Sequence, residues 1–307
     1  MTRLTEDAAG VYVIAVTPFL PDGAVDHASI DRMVDFYLEA GATGLTILGM
    51  MGEAPKLTPE ESLAVVRQVL ERVAGRVPVV VGVSAPGFAQ IAALSAAAME
   101  AGAAGVMIAP PGSLRTDDQI VAYYRQAVEF IGDTPFVLQD FPLVTGVQMS
   151  VPVIARIVEE LPSCVCLKHE DWPGLDKIGA LRAEGRLNRR ISILCGNGGV
   201  FLPEEMGRGA DGAMTGFAFP EMMVDVVRHM QAGEKARAHD LFDAYLPLAR
   251  YEQQPGQGLA VRKYVLARRG VIGHDTLRRP GAGLNPATRA EVDWLLDRQE
   301  RRLKELG

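Results

Sequence analysis

Short apolar runs alternate with amphipathic stretches along most of the chain. Eight such runs can be delimited, at roughly 11–19, 44–49, 77–83, 105–110, 135–141, 164–170, 191–196 and 212–216. They are continuous and rich in Val, Ile and Leu, the pattern of parallel strands that are covered on both faces. The pattern therefore predicts eight strands separated by helices.

A short glycine motif recurs where helical stretches give way to strands. It reads AGATGL at 40–45, AGAAGV at 101–106 and GADGA at 209–213. The first glycine suits the left-handed conformation that ends a helix, and the second precedes an apolar strand. Repeated βα units of this kind predict a (β/α)8 TIM barrel of the α/β class. A doubly wound sheet is the alternative, disfavoured because no glycine-rich dinucleotide fingerprint follows the first strand.

Helical periodicity continues beyond the eighth unit, at about 234–251, 258–270 and 286–305. The turn-rich sequence RPGAG at 279–283 interrupts it, and YEQQPG at 251–256 has the composition of a helix end and a tight turn. A chain of 307 residues is within the range that α/β barrels use as one unit. We therefore expect a barrel at 1–233 and a C-terminal helical extension, packed on the barrel, at 234–307.

Charge and composition exclude several classes of protein. A net charge of -7 and an isoelectric point near 5.4 argue against a nucleic-acid partner, because phosphate binding draws on clustered Lys and Arg. The chain has no membrane-spanning run and no basic, apolar leader, and its three cysteines suit a reducing compartment, so we expect a cytoplasmic protein. Cys164, Cys166 and Cys195 could alternatively form a metal site, although buried cysteine is more often a small hydrophobic residue.

Lys168 is the most informative candidate at the carboxyl ends of the strands, where barrel active sites lie. The chain has only six lysines among its 31 Lys and Arg residues. Strand alternation predicts that Cys164, Cys166, Lys168 and Glu170 line the barrel and that His169 faces a helix. A partly buried lysine amine loses its proton more readily and can attack a carbonyl as a Schiff-base nucleophile. A structural ion pair between Lys168 and Glu170 is the alternative.

Several motifs in order along the chain resemble those of the dihydrodipicolinate synthase and N-acetylneuraminate lyase superfamily. They are TPF at 17–19, GMMGE at 49–53, QDFP at 139–142, Lys168 in the sixth strand and GADG at 209–212. The resemblance covers about residues 10 to 300. It implies a (β/α)8 barrel with a C-terminal helical extension, a homo-oligomer (tetramer or dimer), and an imine between Lys168 and a small-molecule 2-oxo acid, without metal or other cofactor.

The chain departs from the family pattern at informative positions. Met50 and Met51 stand where synthases and aldolases of the family carry two hydroxyl residues, and Gln139 replaces a proton-relaying tyrosine. Val144 replaces the arginine that grips the second substrate of the lysine-pathway synthase, and Gly112 lies near the place of another tyrosine. An amide orients a substrate but is no general acid at neutral pH, so lysine biosynthesis is disfavoured.

The 2-keto-3-deoxy-L-arabonate dehydratases within this superfamily are similar in the glutamine of strand five and in Lys-x-Glu of strand six. Once Lys168 has formed an imine at C2, we expect Glu170, two residues along the strand, to remove the acidic C3 proton. The resemblance implies dehydration of a 2-keto-3-deoxy sugar acid, with a pyruvate-dependent aldolase or a non-catalytic oxo-acid binder as alternatives. The catalytic candidates are Lys168, Glu170 and Gln139, and the substrate-binding candidates are Thr17, Met50, Met51, Gly52, Gly196, Asn197 and Thr215.

Overall fold

Eight parallel strands follow chain order around a closed barrel in the computed structural model, which describes residues 3–306. The strands are β1 Gly10–Ile14, β2 Gly44–Ile47, β3 Val79–Gly82, β4 Gly105–Ile108, β5 Phe136–Asp140, β6 Cys164–His169, β7 Ser192–Cys195 and β8 Gly212–Ala213. The pairing of β8 with β1 closes the barrel, and the predicted (β/α)8 fold is confirmed. Met1, Thr2 and Gly307, where the two predicted units begin and end, lie outside the described residues.

Helices surround the barrel and continue after it. Those associated with the barrel are α1 His27–Glu39, α2 Pro59–Val73, α3 Phe88–Ala101, α4 Asp117–Ile131, α5 Pro142–Thr145, α6 Val151–Glu160, α7 Leu175–Arg182, α8 Leu202–Gly207 and α9 Pro220–Gln231. The C-terminal helices are α10 Lys235–Glu252, α11 Gly258–Arg268 and α12 Pro286–Leu306. Across residues 3–306, no helix combines the length and apolar character that crossing a membrane requires.

Capping residues fix where α2 and α4 begin. Thr58 and Thr116 each accept a hydrogen bond from the backbone three residues on. The side chains of Glu61 and Gln119 in turn accept a hydrogen bond from the backbone N–H of the capping residue, so both helices start with a capping box. These local signals orient two helices that lie directly against the barrel.

Two apolar layers form the core. The larger lies between the strands and the surrounding helices, and the smaller fills the barrel interior. The inner layer includes Tyr12, Ile14, Val80, Met107, Val137, Cys166, Leu194 and Met214. The filled interior means that the barrel is a packed scaffold and not a pore.

A register shift in β6 corrects one expectation from the sequence. Phe136 pairs with Cys164, but the next residue, Val137, pairs with Cys166, so Val165 is an extra residue in β6. Such a bulge interrupts the regular alternation of faces. Cys166 lies in the inner layer as predicted, whereas Cys164 belongs to the outer layer, and the prediction that both fill the interior was wrong.

The strands also end earlier than the apolar runs. Leu48 follows β2 with a φ of 55°, a left-handed conformation that turns the chain away from the sheet. β8 has only two residues, although the ladder is prolonged by a hydrogen bond from Ile14 N to Thr215 O. The residues after these short strands are therefore free to form the loops at the carboxyl end of the barrel.

Barrel closure requires a glycine at 212. Gly212 has a φ of 152°, and a Cβ placed there would overlap the carbonyl oxygen of Gly10 and lie 2.7 Å from its carbon. The carbonyl belongs to the neighbouring strand, so it cannot move without opening the sheet. A side chain at this position would push β1 and β8 apart.

We therefore expect Gly212→Ala to lower the free energy of unfolding by about 3 kcal/mol or more, because backbone strain and overpacking add. Gly283→Ala is the matched control: Gly283 is exposed, and a Cβ there meets no atom within 4 Å. Urea denaturation of both variants measures the difference. Equal stability of the two proteins would contradict the role of Gly212 in closure.

Candidate active site

Lys168 and Glu170 lie together at the carboxyl end of the barrel. Both are 5% exposed, and the Nζ of Lys168 is 2.8 Å from Oε2 of Glu170. Gln139, which pairs with Lys168 across β5 and β6, donates from Nε2 to the same oxygen at 2.7 Å. A buried charge is costly unless it is paired and hydrogen-bonded, and here one carboxylate oxygen satisfies two donors.

The second oxygen of Glu170 is differently placed. A Cβ on Gly196, just after β7, would overlap Cγ of Glu170 and lie 2.5 Å from Oε1. The carboxylate therefore rests directly on the backbone of Gly196. Among residues 3–306, no side chain or backbone group donates a hydrogen bond to Oε1, so the lone pairs of this oxygen have no donor in this part of the protein.

The loop after β7 fixes Glu170 from outside. Asn197 has a left-handed φ of 49°, which asparagine tolerates, and its Nδ2 donates to the carbonyl of Glu170 at 2.9 Å. The N–H of Gly198 donates to Oγ1 of Thr215 at 2.8 Å. Asn197 and Thr215, predicted as substrate-binding residues, thus have positioning contacts within the protein.

The loop after β2 carries the other predicted binding residues. Thr17 is buried and donates from Oγ1 to the carbonyl of Gly52 at 2.6 Å, which ties this loop to the segment that follows β1. Met51 packs against the inner layer of the barrel, while Met50 is 38% exposed. The two methionines therefore make an apolar surface at the barrel mouth, at the two positions where the family pattern has hydroxyl residues.

Glu53 ends the same loop and is held from the C-terminal extension. Its Oε1 lies 2.5 Å from Nζ of Lys263 in α11, and its Oε2 lies 2.7 Å from Nζ of Lys56. The N–H of Arg278 also donates to Oε2, at 3.1 Å. Burial lowers the pKa of Lys263, and the neighbouring Glu53 carboxylate opposes that shift. Glu53 adopts a left-handed φ of 54°, so these contacts stabilise a strained backbone.

The residue before Lys263 holds the loop after β8. The Nε of Arg262 lies 2.5 Å from Oε1 of Glu252, and the same guanidinium donates to the carbonyl of Gly216. Burial raises the pKa of Glu252, and the Arg262 guanidinium counteracts it. Adjacent residues of α11 therefore fix two different loops of the site.

The sequence patterns did not predict these two ion pairs. Arg262 and Lys263 lie inside the otherwise apolar stretch Leu259–Leu266. Two adjacent cations on a buried helix require buried acceptors, and this signal could have indicated contacts with the barrel. It could not have identified Glu53, which is 210 residues from Lys263.

Other ionisable groups lie on the outer side of the strands. His169 is 1% exposed, with Nε2 3.2 Å from the carbonyl of Gly174, just before α7. Asp140 accepts from Nζ of Lys177 at 2.5 Å. These residues alternate away from Lys168 and form a separate buried network that supports the wall of the barrel.

The three cysteines do not converge. Cys166 lies in the inner layer, whereas Cys164 and Cys195 lie in the outer one. Burial raises the pKa of Cys164 and Cys166 to about 12. Next to Cys195, burial raises the pKa of Glu205 to about 7. No group of three or more His, Cys, Asp or Glu able to hold a metal ion is found between residues 3 and 306.

Comparison with known proteins identifies a family. Residues 7–299 match the model of the dihydrodipicolinate synthetase family. L-2-keto-3-deoxyarabonate dehydratase of Azospirillum brasilense is 33% identical over 294 residues, 92% of each protein. 4-Hydroxy-tetrahydrodipicolinate synthase of Sorangium cellulosum is 34% identical over 243 residues, 78% of this chain and 79% of that one.

A solved structure agrees in fold over nearly the whole chain. The crystal structure of dihydrodipicolinate synthase from Rhodopseudomonas palustris is similar with a TM-score of 0.95 and 57% identity. It covers 97% of this chain and 100% of that protein. The superfamily resemblance that the sequence motifs indicated is confirmed.

The ion pair of Lys263 leads to a prediction about the loop after β2. Lys263→Met should lower the free energy of unfolding by about 3–5 kcal/mol, because it leaves the Glu53 carboxylate buried without its closest cation. Lys56→Met removes a second, partly exposed partner of the same carboxylate and should cost less than half as much. Urea denaturation gives the two values, and hydrogen exchange of residues 49–53 reports loop opening. Equal losses in both variants would argue against the special role of Lys263.

Proposed function

The chain belongs to the dihydrodipicolinate synthetase family of Schiff-base-forming lyases, and we propose that it dehydrates a 2-keto-3-deoxy sugar acid through an imine on Lys168. The observation that carries this proposal is the placement of Glu170 two residues after Lys168. Its carboxylate lies 2.8 Å from the amine and is oriented by Gln139, at a site without the family's tyrosine. A carboxylate suits proton abstraction from carbon next to an imine.

The first step forms the imine. Transfer of a proton from Lys168 to Oε2 of Glu170 leaves a neutral amine, which attacks the C2 carbonyl of the substrate. The resulting carbinolamine loses its hydroxyl as water, with the proton supplied by Glu170. The carboxylate is then ionised again and next to the protonated imine.

The second step removes the C4 hydroxyl. Glu170 takes a proton from C3, and the electron pair of that C–H bond forms an enamine. The enamine expels the C4 hydroxyl, which leaves as water with the proton that Glu170 holds, and a 3,4-unsaturated imine results. Hydrolysis of this imine releases the unsaturated 2-oxo acid and restores Lys168, so water is the only other product.

Gln139 serves this chemistry as an orienting group. Its amide donates to Oε2 of Glu170 and therefore holds the carboxylate beside Lys168. The amide has no proton to relay at neutral pH. For the substrate carboxylate, we propose the backbone of the loop at Met50, Met51 and Gly52, whose first N–H groups begin a short helix.

Aldol chemistry is the second candidate. It is favoured by relatives that are synthases, including the protein from Rhodopseudomonas palustris at 57% identity. Cleavage or formation of a C3–C4 bond requires proton transfer at the C4 hydroxyl, the task of the tyrosine that Gln139 replaces. Val144, where the lysine-pathway synthase has an arginine, is 58% exposed and supplies no cation for a second carboxylate. A non-catalytic role is disfavoured because Lys168 and Glu170 are both retained in contact.

The oligomeric state and the cellular compartment are part of the same proposal. We propose a cytoplasmic homo-oligomer, a tetramer or a dimer, acting on a small 2-oxo acid without a cofactor. The three cysteines are unpaired, which suits a reducing compartment. Exposed Trp172 and Phe201, whose rings meet edge to face at 5.9 Å, are an apolar surface suited to subunit contact.

Borohydride reduction tests the imine. Incubation with pyruvate or a five-carbon 2-keto-3-deoxy acid, followed by reduction, should add the mass of the reduced adduct to a peptide that contains Lys168. Lys177, buried on the outer side of the barrel, is an internal control and should stay unmodified. The absence of an adduct with every 2-oxo acid would disprove the imine.

Glu170→Gln separates imine formation from turnover. The amide keeps the shape of the carboxylate but cannot accept the C3 proton, so kcat should fall by about 10²–10⁴-fold. The trapped adduct should still form, although more slowly, because water replaces Glu170 in the proton transfers of imine formation. Unchanged turnover would exclude Glu170 as the base.

Product analysis separates the two lyase reactions. A panel of five- and six-carbon 2-keto-3-deoxy acids should yield products lighter by one water, as measured by mass spectrometry. Release of pyruvate with an aldehyde, or consumption of pyruvate in the presence of an aldehyde, would support the aldolase instead.

A further inference from the structure

Gln253 reaches from the C-terminal extension onto the loop after β7. It follows the last residue of α10, and its side chain lies across Gly198. A Cβ on Gly198 would overlap Nε2 and Cδ of Gln253 and lie 2.9 Å from its Cγ. Gly198 also has a left-handed φ of 65°. The side-chain amide of Gln253 therefore fits in this position only because Gly198 has no side chain.

Gly198 is part of the candidate active site. Two residues earlier in the loop, Gly196 supports the carboxylate of Glu170, and the intervening Asn197 binds the carbonyl of Glu170. A continuous series of contacts thus runs from the carboxylate through Gly196 and Gly198 to the amide of Gln253. The amide of Gln253 is therefore connected to the carboxylate of Glu170 through a single loop.

The backbone that presents Gln253 is firmly held. The preceding residue, Glu252, is fully buried, paired with Arg262, and accepts from the N–H of Ala218 at 3.2 Å. The side-chain amide itself makes no hydrogen bond to any group between residues 3 and 306, whereas the neighbouring Gln254 donates to the carbonyl of Tyr251 at 3.1 Å. Gln253 therefore offers two donor hydrogens and an acceptor oxygen from a fixed position.

We propose that Gln253 is a specificity-determining residue that hydrogen-bonds a hydroxyl group of the substrate beyond C4. The inference rests on the proposed imine chemistry, since C2 is then fixed at Lys168 and C3 at Glu170. The remaining carbons extend from Glu170 along the loop towards Gly198, where the amide meets them. The substrate class is a 2-oxo acid of five or six carbons with a free hydroxyl on C5 or C6. Pyruvate ends at C3 and does not reach Gln253.

The test compares two ligands in a protein that cannot turn them over. In the Glu170→Gln background, borohydride trapping is measured against concentration for pyruvate and for a five-carbon 2-keto-3-deoxy acid. Adding Gln253→Leu should raise the half-saturating concentration of the keto-deoxy acid by about 5–10-fold, the effect of one lost hydrogen bond. The half-saturating concentration of pyruvate should stay within about twofold, because pyruvate does not reach Gln253. Leucine is also similar in size to glutamine, so the loop should keep its position. Gln253→Met, of nearly the same length, provides a second variant if the leucine variant does not fold.

Gln254→Leu in the same background is the matched control, because Gln254 is exposed and adjacent and its side chain donates to the carbonyl of Tyr251. This variant should change the half-saturating concentration of neither ligand. An equal effect of Gln253→Leu on both ligands would show a merely structural role, and no effect on either would also overturn the proposal. Trapping needs only the imine, so the comparison stands even if the wild type releases no water from a keto-deoxy acid. That result would refute the dehydration alone, whereas no adduct with any ligand would refute both proposals.

Discussion

The burial of one carboxylate beside one amine determines how this site is built. Glu170, directly after β6, lies beside Lys168 at the barrel mouth, where solvent cannot stabilise either charge. The carboxylate is satisfied by Lys168 and Gln139 at one oxygen, and its other side requires a neighbour without a side chain, which Gly196 provides. The loop after β7 must therefore begin with glycine and be tied back to Glu170, as Asn197 does.

The C-terminal helices complete the site although they lie outside the barrel. Through Arg262 and Lys263, α11 holds the loops that follow β8 and β2. These two side chains are consecutive, so they leave the helix in different directions and connect the loops of the two strands that flank β1. The buried ion pairs cost desolvation and are weak evidence for stability by themselves, but loss of one partner leaves a buried charge uncompensated. Their role is to specify the position of the loops.

The sequence predicted the barrel, because eight continuous apolar runs and repeated glycine joints are local signals of parallel strands. It also led to Lys168 and Glu170 as candidates, since alternation within one strand is local as well. The extra residue at Val165 was not predictable, because a bulge depends on the register with β5. The partners of Lys263 and Gly198 could not be predicted for a related reason. Contacts between segments far apart in sequence depend on tertiary packing.

The contact between Gly198 and Gln253 constrains how a descendant of this protein could change its substrate. Any side chain gained at Gly198 would need the space that the Gln253 amide occupies, so changes at the two positions depend on each other. A single substitution at Gly198 passes through an overcrowded intermediate, whereas shortening of Gln253 first leaves a vacant space that a new side chain can fill later. Evolution of a new preference along this loop therefore has an order: the helical extension changes before the barrel does.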